Sequence, residues 1–471
     1  MSIPTARNYI VVTNRNRNGI YDSPKERFNE TLQKNPKMSH MSGAELHNHH
    51  FDVTGKGFKH LTPTGEALKL VTSKLPAKIV EVETVAVSFA LHRVLGEDII
   101  SPIDVPSLDR AAMDGYAVRA EDTYSASLNS PVTLKQVEEV GVGIAVVRKG
   151  ETSLVVTGGP MPQGADAVVM TEYATRMSDK TVELYAEVHP AENVSRVGED
   201  LRRGTLVLKR GERLLPQDIG MIGVLGYDRV KVQRMLRIAV LSTGNEIRDR
   251  PTGESGGIQD VNRPTLINAV REIGCEPIDL GIAADEIDVI SSKLQQALEV
   301  ADIILVTAGT SVGPRDFVPR VIDGLGKPGL LVHGVAMRPS MPTGLGIVNG
   351  IPIISLPGYP VSAYLAFLEF IPSLVNHILG TSSLPRPVVT AKLARRVAGV
   401  LGSRTYVRVR VSKVEGNTYA EPVSISGAGI LSSLVRSNGF IIVPENVEGY
   451  EEGQLVGVEL FRPVEGRNAI A

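Results

Sequence analysis

One cysteine, Cys275, stands in 471 residues. A lone thiol excludes an internal disulfide framework and any zinc site built on clustered cysteines. Within EIGCEP it is either a small buried filler between a helix and a strand or a reactive thiol. Excess charge of one sign is also lacking. The formal net charge of −2 gives no broad basic face, so no nucleic-acid partner is expected and any anion site is local. No stretch reaches the roughly 18 apolar residues of a membrane span, and no apolar signal-peptide core opens the chain. The chain reads as cytoplasmic, with no membrane partner. A Gly-rich loop, IILVTAGTSVGPRDF (303–317), lacks both the Lys of a nucleotide P-loop and the spacing of a dinucleotide fingerprint.

The hydrophobic share, 42 %, suits a globular protein, and the length implies several domains. Residues 1–57 are polar with little periodicity (RNRNGIYDSPKERFNETLQKNPKMSH) and read as a disordered extension, in which HNHH is a solvated stretch. Residues 58–100 and 205–234 read as one linker domain. In it Thr62 or Thr64 caps a helix through EALKLVTSKL, and a second helix, VSFALHRVLG, stops at Gly96. Residues 101–204 alternate short apolar runs with Gly and Pro, a small inserted β domain. In 235–382, strands (LRIAVLSTGNE, EPIDLGIAAD, IILVTAGTSVG, IPIISLPGYP) alternate with helices, which predicts an α/β domain with a parallel sheet. Short alternating strands in 383–471 predict a C-terminal β-barrel.

Three loops follow strands of the α/β unit: STGNE (242–246), TAGTSVGPRD (307–316) and LPGYPVSA (356–363). Ligands of open parallel sheets bind beyond the carboxyl ends of the strands. Gly309 and Gly313 let backbone N–H groups approach an oxyanion. Pro357 and Gly358 shape a turn into a helix at Val361, whose free N–H groups would form an anion site. Glu246, Asp260, Asp285 and Asp316 crowd the same loops, though Asp260 and Asp285 could equally cap the next helix. Phosphate-binding loops beside carboxylates point to a divalent cation, magnesium, bridging acid and phosphate. On residues alone the chain is an enzyme or binder of a phosphorylated small molecule.

Six motifs together resemble the molybdopterin molybdenumtransferase family, the MoeA group that includes the E domain of gephyrin. They are SLDRAAMDGYAV (107–118), TGGPMPQGADAVVM (157–170), VGEDL (197–201), VLSTGNEI (240–247), GTSVGPRDF (309–317) and SLPGYPVSA (355–363). The resemblance spans about residues 61–465. It implies a homodimer of elongated four-domain subunits whose α/β domain binds molybdopterin. The implied substrates are adenylylated molybdopterin and molybdate or tungstate, with Mg2+-dependent cleavage of the adenylate to molybdenum cofactor and AMP. The implied catalytic acids are Asp114, Asp200, Glu246, Asp285 and Asp316, with Glu246 and Asp316 as metal ligands and with Asp114 and Asp200 acting in trans across the dimer. The implied substrate-binding residues are Thr157, Thr243, Gly244, Gly309, Thr310, Ser311, Gly313, Arg338, Pro357, Gly358, Ser362 and Arg408, the last near the cleft. Asp114 could instead be a turn residue before Gly115.

The family pattern is not met throughout. In HGVAMRPSMPTGLG, Arg338 replaces a Lys, while Gly334 and Met341 stand where further Lys residues are common; Ala428 replaces a Ser. An active insertase is therefore set against a paralogue that binds molybdopterin or a protein partner without inserting metal, and against adenylyl transfer onto molybdopterin.

Overall fold

A computed structural model of the chain describes Phe58 and residues 60–75, 80–137, 145–178, 180–250, 257–307, 317–382, 385–424 and 427–466. The expectation of disorder for residues 1–57 falls outside these residues.

Helix α1 (Thr64–Lys74) buries Ala67 and Val71 and lays Leu68 and Leu75 on the same core. Neither threonine caps it. Pro63 holds the N-cap position, Thr64 already lies in the first turn, and Thr62 is drawn into a bridge with Val335. Strands β1 (Val82–Ala86) and β2 (Ile99–Ile100) follow. The helix expected over VSFALHRVLG does not form. A single 3-10 turn, Val87–Phe89, gives way to His92 at φ 63°, a left-handed conformation that no helix continues through. Val94 and Leu95 then bridge to Arg213 and Val232, so long-range pairing overrides a local helical pattern. Gly96 is required by close approach and not as a cap, because an added Cβ would lie 2.7 Å from Val82 Cγ1.

The inserted β domain consists mainly of β3 (Gly115–Val118), β4 (Val132–Gln136), β5 (Glu151–Val155), β6 (Ala167–Met170), β7 (Ala174–Ser178) and β8 (Thr181–Leu184), in sheet order β6-β3-β5-β4-β8-β7. Its core includes Tyr116, Leu134, Val169, Val182 and Leu184. The chain then returns through β9 (Leu206–Leu208), α2 (Pro216–Val224) and β10 (Arg229–Gln233). β9 pairs with β2 and β10 with β1, both antiparallel, which makes the region between them an insertion.

The α/β domain follows as β11 (Arg237–Thr243), α3 (Asn262–Glu272), β12 (Glu276–Ala283), α4 (Ile287–Val300), β13 (Ile303–Thr307), α5 (Phe317–Leu325), β14 (Pro328–His333), β15 (Met337–Arg338), β16 (Gly344–Val348), β17 (Ile351–Leu356) and α6 (Pro360–Leu379). Sheet order is β12-β11-β13-β17-β16-β14. Four strands are parallel, as expected, but β16 runs antiparallel to β17 and β14, so the sheet is mixed. Asn349–Gly350, at φ 52° and 80°, is a two-residue hairpin turn, and such a turn leaves no room for a helical crossover. Helices cover both faces: Val71, Leu266 and Phe367 share one core with the sheet, while Ile290, Leu294 and Val318 share the other. α6 is long and apolar enough to cross a membrane, but Phe367, Phe370 and Ile371 are fully buried against the sheet, as in a core helix. Cys275 is buried in that core, where a filler sits, and burial pushes its thiol up to about 12.

The C-terminal strands β18 (Val388–Leu393), β19 (Arg404–Val414), β20 (Asn417–Ser424), β21 (Gly439–Val443) and β22 (Leu455–Leu460) close a five-stranded barrel in the order β19-β20-β18-β22-β21. β15, from the α/β domain, adds to β19 through Met337–Arg404 and Arg338–Thr405 pairs. The segment carrying Arg338 is thereby fixed to the barrel.

Candidate active site

The parallel strands β11, β12, β13 and β17 end at one edge of the sheet. The strand ends are braced from within. Thr243 is fully buried, and its hydroxyl donates to the Thr307 carbonyl at 3.3 Å, beside a Ser242–Thr307 hydroxyl pair at 3.0 Å. The Thr243 side chain, expected to bind substrate, is engaged by the sheet. Gly244 turns at φ 147°, where an added Cβ would sit 2.6 Å from Ile247 Cγ1. Glu246 follows, its side chain exposed. Its carbonyl accepts the Ile258 N–H at 2.8 Å, while Arg248 donates to the Asn245 and Ile247 carbonyls on either side, both at 2.7 Å.

Asp285 is half-buried and bound reciprocally to Asn245. The Asn245 N–H donates to its carboxylate at 3.3 Å, and its own N–H donates to Asn245 Oδ1 at 3.1 Å. It does not cap α4, whose N-cap Glu286 lacks a side-chain cap bond. Asp260 is the structural acid of the group. It accepts the Arg263 N–H at 3.1 Å and Nε at 3.0 Å, and Arg263 reaches on to Asp279 and Asp249. Burial works against the Arg263 charge, but hydrogen bonds to Asp279 and Asp260 outweigh it and raise its pKa.

At the third loop, the Gly358 carbonyl accepts from Asn262 Nδ2 at 2.7 Å. Asn245 and Asn262 were missed in the sequence; short amides at the two ends of a strand-to-helix loop were the available signal. One donor of the anion site expected at Val361 is already taken. α6 starts one residue earlier, at Pro360, which has no N–H; the Val361 N–H donates to the Ala428 carbonyl at 3.1 Å and that of Ala363 to Tyr359 at 2.9 Å. The barrel loop thus takes the donor reserved for an anion, through a carbonyl that a Ser-to-Ala exchange leaves in place. Pro357 and Ser362 are buried, and the Ser362 carbonyl accepts from Ser340 Oγ at 2.7 Å; Gly358 is exposed. Arg338 is exposed on β15. Arg408, expected near the cleft, is only 3 % exposed within β19, and burial lowers its pKa. Gly309, Thr310, Ser311, Gly313 and Asp316 lie outside the described residues.

In the inserted domain, two residues singled out separately are bonded. Asp114 Oδ1 accepts the Thr157 N–H at 2.6 Å and the Thr157 hydroxyl at 2.8 Å. This engagement across the sheet replaces the local-turn reading of Asp114. Both bonds, the backbone one first, hold the Asp114 carboxyl below its ordinary value of 3.8. Gly115 serves close packing, since an added Cβ would lie 2.1 Å from the Val169 carbonyl oxygen. Gly115→Ala is expected to cost about 1–3 kcal/mol through overpacking and to displace Asp114; a thermal midpoint unchanged from wild type would contradict this. The VGEDL segment lies alongside. Ser195 pairs with Arg110, the Val197 N–H donates to Asp109 at 2.8 Å, and the Asp200 N–H donates to the Val105 carbonyl at 3.0 Å. Asp114 and Asp200 are both exposed.

Family models divide the chain in the same succession. Residues 62–226 match the MoeA N-terminal region (domains I and II), 239–377 a probable molybdopterin-binding domain, and 390–461 the MoeA C-terminal region (domain IV). A putative molybdopterin biosynthesis protein of Methanocaldococcus jannaschii is 39 % identical over 419 residues, 86 % of this chain and 100 % of the relative. The chain belongs to the MoeA family. Membership carries the family's enzyme class, a molybdopterin molybdenumtransferase of molybdenum cofactor biosynthesis. The molybdopterin molybdenumtransferase of Bacillus subtilis is 32 % identical over 394 residues, 82 % of this chain and 91 % of the relative. A crystal structure of the molybdopterin biosynthesis moeA protein from Pyrococcus horikoshii superposes with a TM-score of 0.72 at 32 % identity, over 85 % of this chain and 100 % of that one.

The acids of this MoeA-family chain fall into two groups, Asp114 with Asp200 and Glu246 with Asp285. Among the described residues no hydrogen bond or ion pair joins the two groups, and no three or more His, Cys, Asp or Glu are placed to hold a metal ion. Exposed Glu246 offers hard carboxylate oxygens of the kind magnesium takes. A concavity of about 590 Å³ lined by Arg119, Tyr124, Arg148 and Asp166 lies within the inserted domain and touches none of these acids.

The Asp114–Thr157 clamp makes a separable prediction. In Thr157→Val the side-chain bond is lost while the backbone bond, the larger cause of the depressed pKa, remains. A depressed folded pKa gives stability that is complete above the unfolded pKa and lost as pH falls through the folded one. The Asp114 titration is therefore expected to move part of the way back up towards 3.8. At neutral pH, turnover falls about tenfold from misplacement of a carboxylate that is still charged. Carboxyl NMR titration and kcat at pH 7 check the two halves.

Proposed function

We propose that the chain inserts molybdate or tungstate into adenylylated molybdopterin, cleaving the adenylate to yield molybdenum cofactor and AMP in the cytoplasm. The observation that carries the reading is the sheet edge where exposed Glu246, half-buried Asp285 and exposed Gly358 are each held by a neighbouring loop, in a chain of the MoeA family. Asn245 orients Asp285, Asn262 orients the Gly358 carbonyl, and Arg338 offers an exposed cation to the oxyanion. Glu246 and Asp316 would hold Mg2+, which when bound neutralises charge on the phosphate.

Asp114 and Asp200 complete the site in trans, across a homodimer. Leu108, Met113, Val156 and Val197, in the segments that carry Asp114, its partner Thr157 and Asp200, are each at least 40 % exposed. An apolar rim about ionised groups fits a surface covered by a second subunit. A binding-only role is favoured by the occupied Val361 N–H and by the missing side chain at Gly334.

AMP release is to be followed with adenylylated molybdopterin and magnesium while molybdate and tungstate are titrated separately. Oxyanion-dependent release supports insertion, and the two half-saturation values rank the oxyanions. Pterin binding without AMP release overturns insertion in favour of the binding-only role.

A further inference from the structure

We propose that Phe58 and residues 60–62 form a positioning strap for the strand that carries Arg338. Ala336, two residues before Arg338, is gripped from both sides. Its N–H donates to the Thr62 carbonyl at 2.8 Å, and its carbonyl accepts the Arg404 N–H from the barrel at 2.9 Å. The Thr62 N–H in turn donates to the Gly334 carbonyl at 3.1 Å. Phe58 seats the near end of the strap: its ring meets that of His333 edge-on, with centroids 5.1 Å apart and planes at 90°.

Gly334 and Phe58 need each other. Gly334 stands at φ 96°, and an added Cβ would lie 2.6 Å from Phe58 Cδ1 and 3.2 Å from Leu61 Cδ2. A residue without a side chain leaves the space that the ring fills, in a conformation that favours glycine. The ring occupies the place a side chain at 334 would take. The strap thus sets the path of residues 333–338 from one edge, as β19 does from the other. Phe58 acts through His333 and Gly334 as a positioning residue.

The inference rests on the proposed oxyanion role of Arg338, and its test keeps the two apart. Phe58→Ala, Phe58→Tyr and Gly334→Ala are made in the full chain. Two quantities are read: amide hydrogen exchange at Ala336, and KM for molybdate against KM for the pterin and kcat. In Phe58→Ala and Gly334→Ala, Ala336 is expected to exchange about tenfold faster. The molybdate KM is expected to rise about tenfold while kcat at saturating molybdate and the pterin KM stay within about twofold. Phe58→Tyr restores both quantities. Unchanged exchange and unchanged molybdate KM in Phe58→Ala overturn the strap. A parallel loss in kcat and in both KM values overturns its positioning role, because general loosening would do the same. Wild-type protein that releases no AMP defeats the insertase reading alone. Exchange at Ala336 then decides the strap, faster exchange in Phe58→Ala upholding it and unchanged exchange ending it.

Discussion

Asp114→Asn and Glu246→Gln, each made singly, are expected to lower turnover by about two to four orders of magnitude with the fold intact. Both side chains are exposed, and both replacements are close to isosteric, so packing is unaffected. Asparagine keeps an oxygen that can accept from Thr157 and loses the charge; Thr157→Val keeps the charge and loses part of the clamp. The pair of variants therefore separates charge from position at one carboxylate. Glu246→Gln leaves the Ile258-to-Glu246 backbone bond and the Arg248 contacts in place, so its loop retains its path. Folding is followed by circular dichroism and thermal midpoint, turnover by AMP release. Wild-type turnover in either variant removes that residue from the chemistry.

Arg234→Ala carries the largest expected cost in stability, about 3–5 kcal/mol. Asp302 is only 3 % exposed and lies at the joint between β10 and the α/β domain. Arg234 grips it through two bonds, at 2.7 and 2.9 Å, and the Arg237 N–H adds a third at 2.9 Å. The hydrogen bond to Asp302 is the leading cause of the raised Arg234 pKa, with burial working against it. Removing the guanidinium leaves a buried carboxylate with one charged partner fewer, which costs more than the pair itself contributes. The double variant Arg234→Met, Asp302→Leu is expected to recover most of the loss, since a buried pair replaced by apolar groups is often near neutral. Urea denaturation checks both. A single variant no less stable than wild type would mean that water reaches Asp302.

The division of labour between sequence and structure follows the range of the forces involved. Alternation of apolar runs with helical stretches was enough for the α/β sheet, the inserted β domain and the barrel, because periodicity records which side of each element faces a core. The loop positions were legible too, since strands that run parallel must all end at one edge. The same logic failed at VSFALHRVLG, where Leu95 meets Val232, more than a hundred residues away, and that pairing displaced the helix.

At the site, residue types were readable and partners were not. Asp114 and Thr157 each stood out within its own motif, yet only folding joins them. Asp285 looked as much like a helix cap as a functional acid; the fold excludes the cap and bonds it to Asn245. Thr243 and Arg408 carry polar groups that a sequence places on a loop or near a cleft, and the fold buries both. The donors at the start of α6 are the sharpest case, because the residue that takes the Val361 N–H, Ala428, belongs to the barrel. The sequence by itself determined the architecture, the loops that follow the parallel strands and the acids those loops carry. Tertiary structure alone decided which of those groups remain available to a ligand. A hydrogen bond is satisfied by whatever the fold brings within about 3 Å, and that neighbour carries no local signature in the chain.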